Sequence, residues 1–149
     1  MTEVLFYHLE QGVLENILPD LLEKTLERGW RAVVRASSRE RVEVLDGFLW
    51  TYRDESFLPH GAGGDSASQP IWLTDGDDVP NQAEVLFLAE GAALDMKSLD
   101  SFHRCVVIVN GRDVDALADS RRLWKEAKDS SHDVTYWKQS PQGRWEKQA

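Results

Sequence analysis

With 149 residues, 42% of them hydrophobic and 29% charged, the chain has the composition of one ordinary globular domain, which disfavours intrinsic disorder. No run approaches the roughly 20 apolar residues that span a bilayer, and the short apolar run Val4–Tyr7 behind Glu3 is no secretory leader. A net charge of −9 repels the phosphate backbone at long range, so any nucleic-acid role is expected to be indirect.

In chain order, Glu3–His8 reads as a strand, and Leu14, Ile17, Leu18, Leu21, Leu22 and Leu26 then recur at the spacing of an amphipathic helix. Pro19 marks either a late start or a kink in that helix, and Gly29 ends it. Arg31–Ala36 is a second strand. Ser37 or Ser38 can cap a helix in which Val42, Leu45, Phe48 and Leu49 share a side. Strand, helix, strand, helix opens a βαβ unit and predicts an α/β fold with a mainly parallel sheet.

From Thr51 to Pro70 the periodicity fails among Pro59, Gly61, Gly63, Gly64 and Pro70, which reads as a long loop. Ile71–Thr74 is a short strand, Asp75–Asn81 a turn, and Glu84–Ala89 a further strand, with a short helix near Ser98–Phe102. Cys105–Val109 is apolar on both faces and predicts a central strand. Gly111–Lys128 reads as a helix, Asp133–Lys138 as the strand that closes the sheet, and residues 141–149 as a loose tail behind a single domain spanning 1–140.

Catalytic motifs are sparse. The glycines at 61, 63 and 64 are followed by no Lys-Ser or Lys-Thr, so they make no phosphate loop. His8, His60, His103 and His132 are dispersed and have no second ligand at metal spacing. Asp75, Asp77 and Asp78 lack the glutamate that completes a calcium loop. The lone Cys105 lies mid-strand, which fits a reducing compartment and a cytoplasmic address. The enzyme reading that remains is a small hydrolase or nucleotide-dependent enzyme with His8 and His60 meeting at the carboxyl edge of the sheet.

Charge distribution points elsewhere. Residues 54–100 hold ten acids and one base, whereas residues 121–149 hold seven bases and four acids, a local excess of +3. Within that stretch Arg121, Trp124, Lys125 and Lys128 fall at i, i+3, i+4 and i+7 and share one helix face. Such a face suits an acidic peptide that carries an aromatic anchor and a free carboxylate. Periodicity by itself fits a plainer account equally well: late basic residues complement the helix dipole, and a tryptophan beside an apolar stripe is core.

The segments Val4–Leu9, Leu45-Asp46, Leu49–Tyr52, Asp54–Gly61 and Gln69–Ile71, in this order and with the late Trp124-Lys125 helix, resemble the chi subunit family of bacterial DNA polymerase III. The resemblance implies a Rossmann-like three-layer fold without a nucleotide-binding motif, no cofactor and no catalysis. It implies an accessory subunit of the clamp-loader assembly that holds the acidic C-terminal tail of single-stranded DNA-binding protein. On the family pattern the tail site maps to Arg121, Trp124 and Lys125, with Lys128 beside them. A psi-subunit contact maps to Phe57, with Leu58 and Pro59 next to it. Tryptophan at 124 stands where better-known members carry tyrosine, and Asn110 stands where the family has an apolar residue.

Overall fold

The structure, a computed structural model, describes residues 2–9, 14–51, 60–61, 69–76, 78–89, 99, 101–130, 132–140, 142 and 144–148. Along the chain these form β1 (Glu3–Leu9), α1 (Leu14–Glu27), β2 (Ala32–Arg35), α2 (Arg39–Thr51), β3 (His60–Gly61) and β4 (Ile71–Thr74). Then follow β5 (Val85–Leu88), β6 (Arg104–Asn110), α3 (Val114–Lys128), β7 (Asp133–Gln139) and β8 (Trp145–Lys147).

The strands make one sheet in the order β3-β4-β2-β5-β6-β1-β7-β8. Every pairing is parallel except β7 with β8. Parallel neighbours require crossovers, and the crossover helices bury both faces of the inner strands. That is why Cys105–Val109, between β5 and β1, is buried throughout.

Side-chain alternation sorts the core into two clusters. On one face Leu5 and Leu9 of β1, Val34 of β2, Phe87 of β5 and Ile108 of β6 pack under Leu18 and Leu22 of α1 and under Val42, Leu45 and Leu49 of α2. On the other face Val4 and Phe6 of β1, Leu86 of β5, Val107 of β6 and Val134 of β7 lie with Ala127, Leu117, Leu123 and Trp124 of α3. The result is a three-layer α/β fold, as the βαβ pattern requires.

Several expectations need correction. Pro19 lies inside α1, not at a late start: its side chain is buried, and its missing N–H forgoes one helical hydrogen bond. Ser38 is the residue that caps α2, its Oγ accepting from Arg41 N at 3.2 Å. Inside the expected loop Thr51–Pro70, His60 and Gly61 form β3, paired with Ile71 and Trp72 at the sheet edge; Phe57, Leu58 and Pro59 lie outside the described residues. The late helix starts at Val114 and not at Gly111, because the Oδ1 of Asp113 accepts from Asp115 N at 3.0 Å and Ala116 N at 3.3 Å. Residues 145–147 are not a loose tail. They pair with β7 as an antiparallel edge strand, and Trp145 sets its ring edge-on to Tyr7 with centroids 5.0 Å apart. The sheet therefore closes on β8 and not on β7.

Candidate functional site

The late helix presents two kinds of side chain along one flank. Ser120 and Ala127 are buried and point α3 at the sheet; one step round the helix, Trp124 is half-buried; beyond it Arg121, Lys125 and Lys128 are exposed. The four residues singled out by spacing thus lie together at the seam between helix and solvent.

Trp124 is held from below. Its ring stands edge-on to Phe6 of β1, centroids 5.5 Å apart at 77°, and edge-on to Tyr136 of β7, 5.5 Å apart at 89°. Phe6 and Tyr136 are register partners and stack on each other at 5.8 Å and 16°. Edge-to-face pairs at these distances contribute about 0.5–1.5 kcal/mol each beyond area burial, so the indole is fixed in one orientation. From the solvent side the Nζ of Lys128 lies 4.9 Å from the Trp124 ring centroid, a cation–π contact. Arg121 and Lys125 have no ion-pair or hydrogen-bond partner among the described residues. Arg122, by contrast, meets Asp119 at 3.6 Å on the exposed side of the helix. Chemically this is an aromatic plane of fixed orientation with two available cations at its edge, suited to an anion that carries an apolar neighbour.

Sequence reasoning missed the layer beneath. The hydroxyl of Tyr136 shares a hydrogen bond of 2.6 Å with Nδ1 of the buried His8. This pair joins β1 to β7 across a separation of 128 residues and fixes the ring on which Trp124 rests. Alternation of Val134 and Tyr136 on β7 was the available signal. Asn110 ends β6. It alternates with Val106 and Ile108 on the face opposite α3, and its Oδ1 accepts from Arg112 N at 3.1 Å, making the turn that leads into the helix.

The residues considered for catalysis do not converge. His60 is in β3 and His8 in β1, with β4, β2, β5 and β6 between them; five strand spacings put them roughly 24 Å apart. His132 accepts from Thr2 N at 3.1 Å, and His103 stacks on Trp30 at 5.7 Å. Asp78, in the acidic turn, accepts from Trp72 Nε1 at 2.9 Å and from Thr74 Oγ1, so its carboxylate closes a turn. Burial pushes the Cys105 thiol up to about 12, against a smaller opposing pull from Arg35, which leaves it unreactive. Among the described residues no cluster of His, Cys, Asp and Glu could hold a metal, and no helix is long and apolar enough to cross a membrane.

Comparison with known proteins finds relatives over much of the chain. It is 32% identical over 90 residues to a probable DNA polymerase III subunit chi of Rickettsia prowazekii, covering 59% of this chain and 54% of that protein. It is 28% identical over 89 residues to the DNA polymerase III subunit chi of Pseudomonas aeruginosa, covering 58% of this chain and 63% of that protein. The matched part therefore spans less than two thirds of the length of either relative. The family model for the DNA polymerase III chi subunit, HolC, matches residues 1–135. The chain belongs to the DNA polymerase III chi subunit family.

Proposed function

We propose that this protein is a non-catalytic chi subunit of the polymerase III clamp-loader assembly. In this reading it links the replisome to single-stranded DNA-binding protein by holding that protein's acidic C-terminal tail on α3. The observation that carries the reading is the indole of Trp124, clamped edge-on by Phe6 and Tyr136, with the cations Arg121 and Lys125, unengaged among the described residues, beside it. An aromatic side chain of the tail would lie along this plane, its terminal carboxylate would meet Arg121 or Lys125, and Lys128 would close the indole from the solvent side. The local excess of positive charge in an acidic chain would steer an acidic partner to this end and turn more negative surfaces away.

The same reading makes contact with DNA indirect, needs no cofactor or metal, and places the protein in the cytoplasm as one chi-like domain whose sheet includes β8. A psi subunit, where one is present, would dock through Phe57 with Leu58 and Pro59.

Calorimetric titration with a synthetic acidic tail peptide tests the assignment. Arg121→Ala and Lys125→Ala are each expected to weaken binding by about tenfold, the worth of one hydrogen bond to a charged group. Unchanged affinity in both variants would remove α3 as the site. Pull-down of single-stranded DNA-binding protein with and without its last residues tests the partner separately from the site.

A further inference from the structure

On the face of the sheet opposite α3, a cleft of 360 Å³ opens between the carboxyl end of α1 and strands β1, β5 and β6. That volume lies within the range of small-molecule sites, which begins near about 300 Å³. Its floor is a register row, Phe87, Val106 and Leu5, all buried and apolar. Among the described residues its rim carries Lys24, Arg28 and Arg104 with the carboxylate of Glu27, and Glu3 pairs with Arg104.

The bland account of this charge covers only part of it. Lys24 and Arg28 lie at the carboxyl end of α1, where cations complement the dipole. Arg104 comes from β6 and gains nothing from that helix end. Glu3 engages it at Nε, 3.2 Å away, but Lys24 and Arg28 have no carboxylate partner among the described residues. An aromatic ring holds the two arginines in place. The guanidinium carbons of Arg28 and Arg104 lie 5.1 and 5.5 Å from the centroid of Trp30, whose ring also stacks with His103. In the wall stands Tyr7, whose phenol is a hydrogen-bond donor at neutral pH, its pKa pushed further up by burial against the opposing pull of Arg104. An acidic chain has thus gathered three cations and a donor around an apolar floor.

We propose that this cleft binds a small organic anion, its charged end against Lys24, Arg28 and Arg104 and its apolar body on the Phe87–Val106–Leu5 floor. The proposal does not rest on the reading of α3, which lies on the other face.

The test is an NMR titration of the full chain with phenyl phosphate, 3-phenylpropionate and inorganic phosphate. It follows the Trp30 indole N–H and the Leu5 and Val106 methyl signals. At least one aryl anion is expected to shift these signals saturably and to bind at least about tenfold tighter than inorganic phosphate, since only the aryl forms bury apolar surface. The phosphate and carboxylate probes together identify the preferred charged end. Lys24→Ala combined with Arg28→Ala is expected to weaken aryl-anion binding by at least about tenfold, whereas Lys125→Ala leaves it unchanged. Both cleft substitutions are at exposed positions, and far-UV circular dichroism checks that the fold is kept. Absence of saturable shifts, equal affinity for inorganic phosphate, or binding retained by the double variant would overturn the proposal.

Discussion

Gly111 lies against His8: a Cβ built on Gly111 would overlap the imidazole and fall 2.7 Å from the carbonyl oxygen of Leu9. The backbone N–H of Gly111 donates to that same carbonyl at 2.8 Å, which seals the carboxyl ends of β1 and β6 together. The glycine is required here for close approach and not for its dihedral angles. Through His8 and Tyr136 the contact reaches the ring that supports Trp124. Helix α3 leaves the sheet from this junction, so its aromatic flank is fixed by β1 and β7 as well as by its own turns.

Gly111→Ala is therefore expected to destabilise the fold by about 1–3 kcal/mol, since neither the imidazole nor the carbonyl can withdraw without disturbing β1. Gly47 makes the matched control. It is exposed in α2, and a Cβ added there would meet nothing within 4 Å, so Gly47→Ala should stabilise by roughly 0.5–1 kcal/mol. Urea denaturation of both variants checks the contrast, and equal effects would sink the argument from close approach.

Trp124→Ala should lose both stability and tail binding, because the ring is half core and half surface. A cost of about 2 kcal/mol in unfolding free energy follows for a partly buried aromatic. Trp124→Tyr should recover most of the binding, since a phenol ring can keep the edge-on contacts with Phe6 and Tyr136. Denaturation and peptide titration on the same samples separate the two losses.

Arg121→Ala and Lys125→Ala should leave unfolding free energy within about 0.5 kcal/mol of the parent, as expected for exposed side chains without partners among the described residues. A loss of peptide affinity in these variants would then report on the interface and not on folding. Raising salt should weaken the parent and narrow the gap to the variants, because exposed charges are screened over about 10 Å at 0.1 M ionic strength.

Asp78 gives the fold an acid-range dependence of known sign. Burial by itself would raise its pKa, but the hydrogen bonds from Thr74, Trp72 and the backbone, with the pull of Arg35, together outweigh burial and hold it below the ordinary carboxylate value. A depressed folded pKa means that the stabilisation is complete above the unfolded value, near about 4, and is lost as pH falls through the folded one. Asp78→Asn should flatten this part of the stability curve below about pH 4. An unaltered slope in acid denaturation would show that the carboxylate carries no such linkage.

Cys105 is fully buried, with its thiol pushed up to about 12. Labelling by a thiol reagent at pH 8 should therefore follow the rate of unfolding, and it should become fast only in denaturant. Rapid labelling of the native chain would place the thiol elsewhere.

Much of this architecture is written locally. A continuous β-branched apolar run such as Cys105–Val109 and a period-3.6 run such as Leu14–Leu26 declare a strand and a helix, and their alternation requires parallel pairing with crossovers. The same helical geometry places Arg121, Trp124, Lys125 and Lys128 on one flank before any fold is known, because i, i+3, i+4 and i+7 are neighbours on every α-helix. Other features depend on which strands become neighbours. Residues 145–147 carry too short a pattern to announce a strand, and they become one because the edge of β7 offers unpaired backbone groups. His8 and His60 both stand on strands, and only the strand order separates them. Whether Trp124 is core or platform was likewise undecided by spacing. The answer came from Phe6 and Tyr136, which parallel pairing of β1 with β7 places directly beneath the indole. Sequence by itself determined the long helices and the inner strands and the face of α3 that carries charge; the order of the strands, fixed by long-range packing that no local period encodes, decided what lies under that face and holds it still.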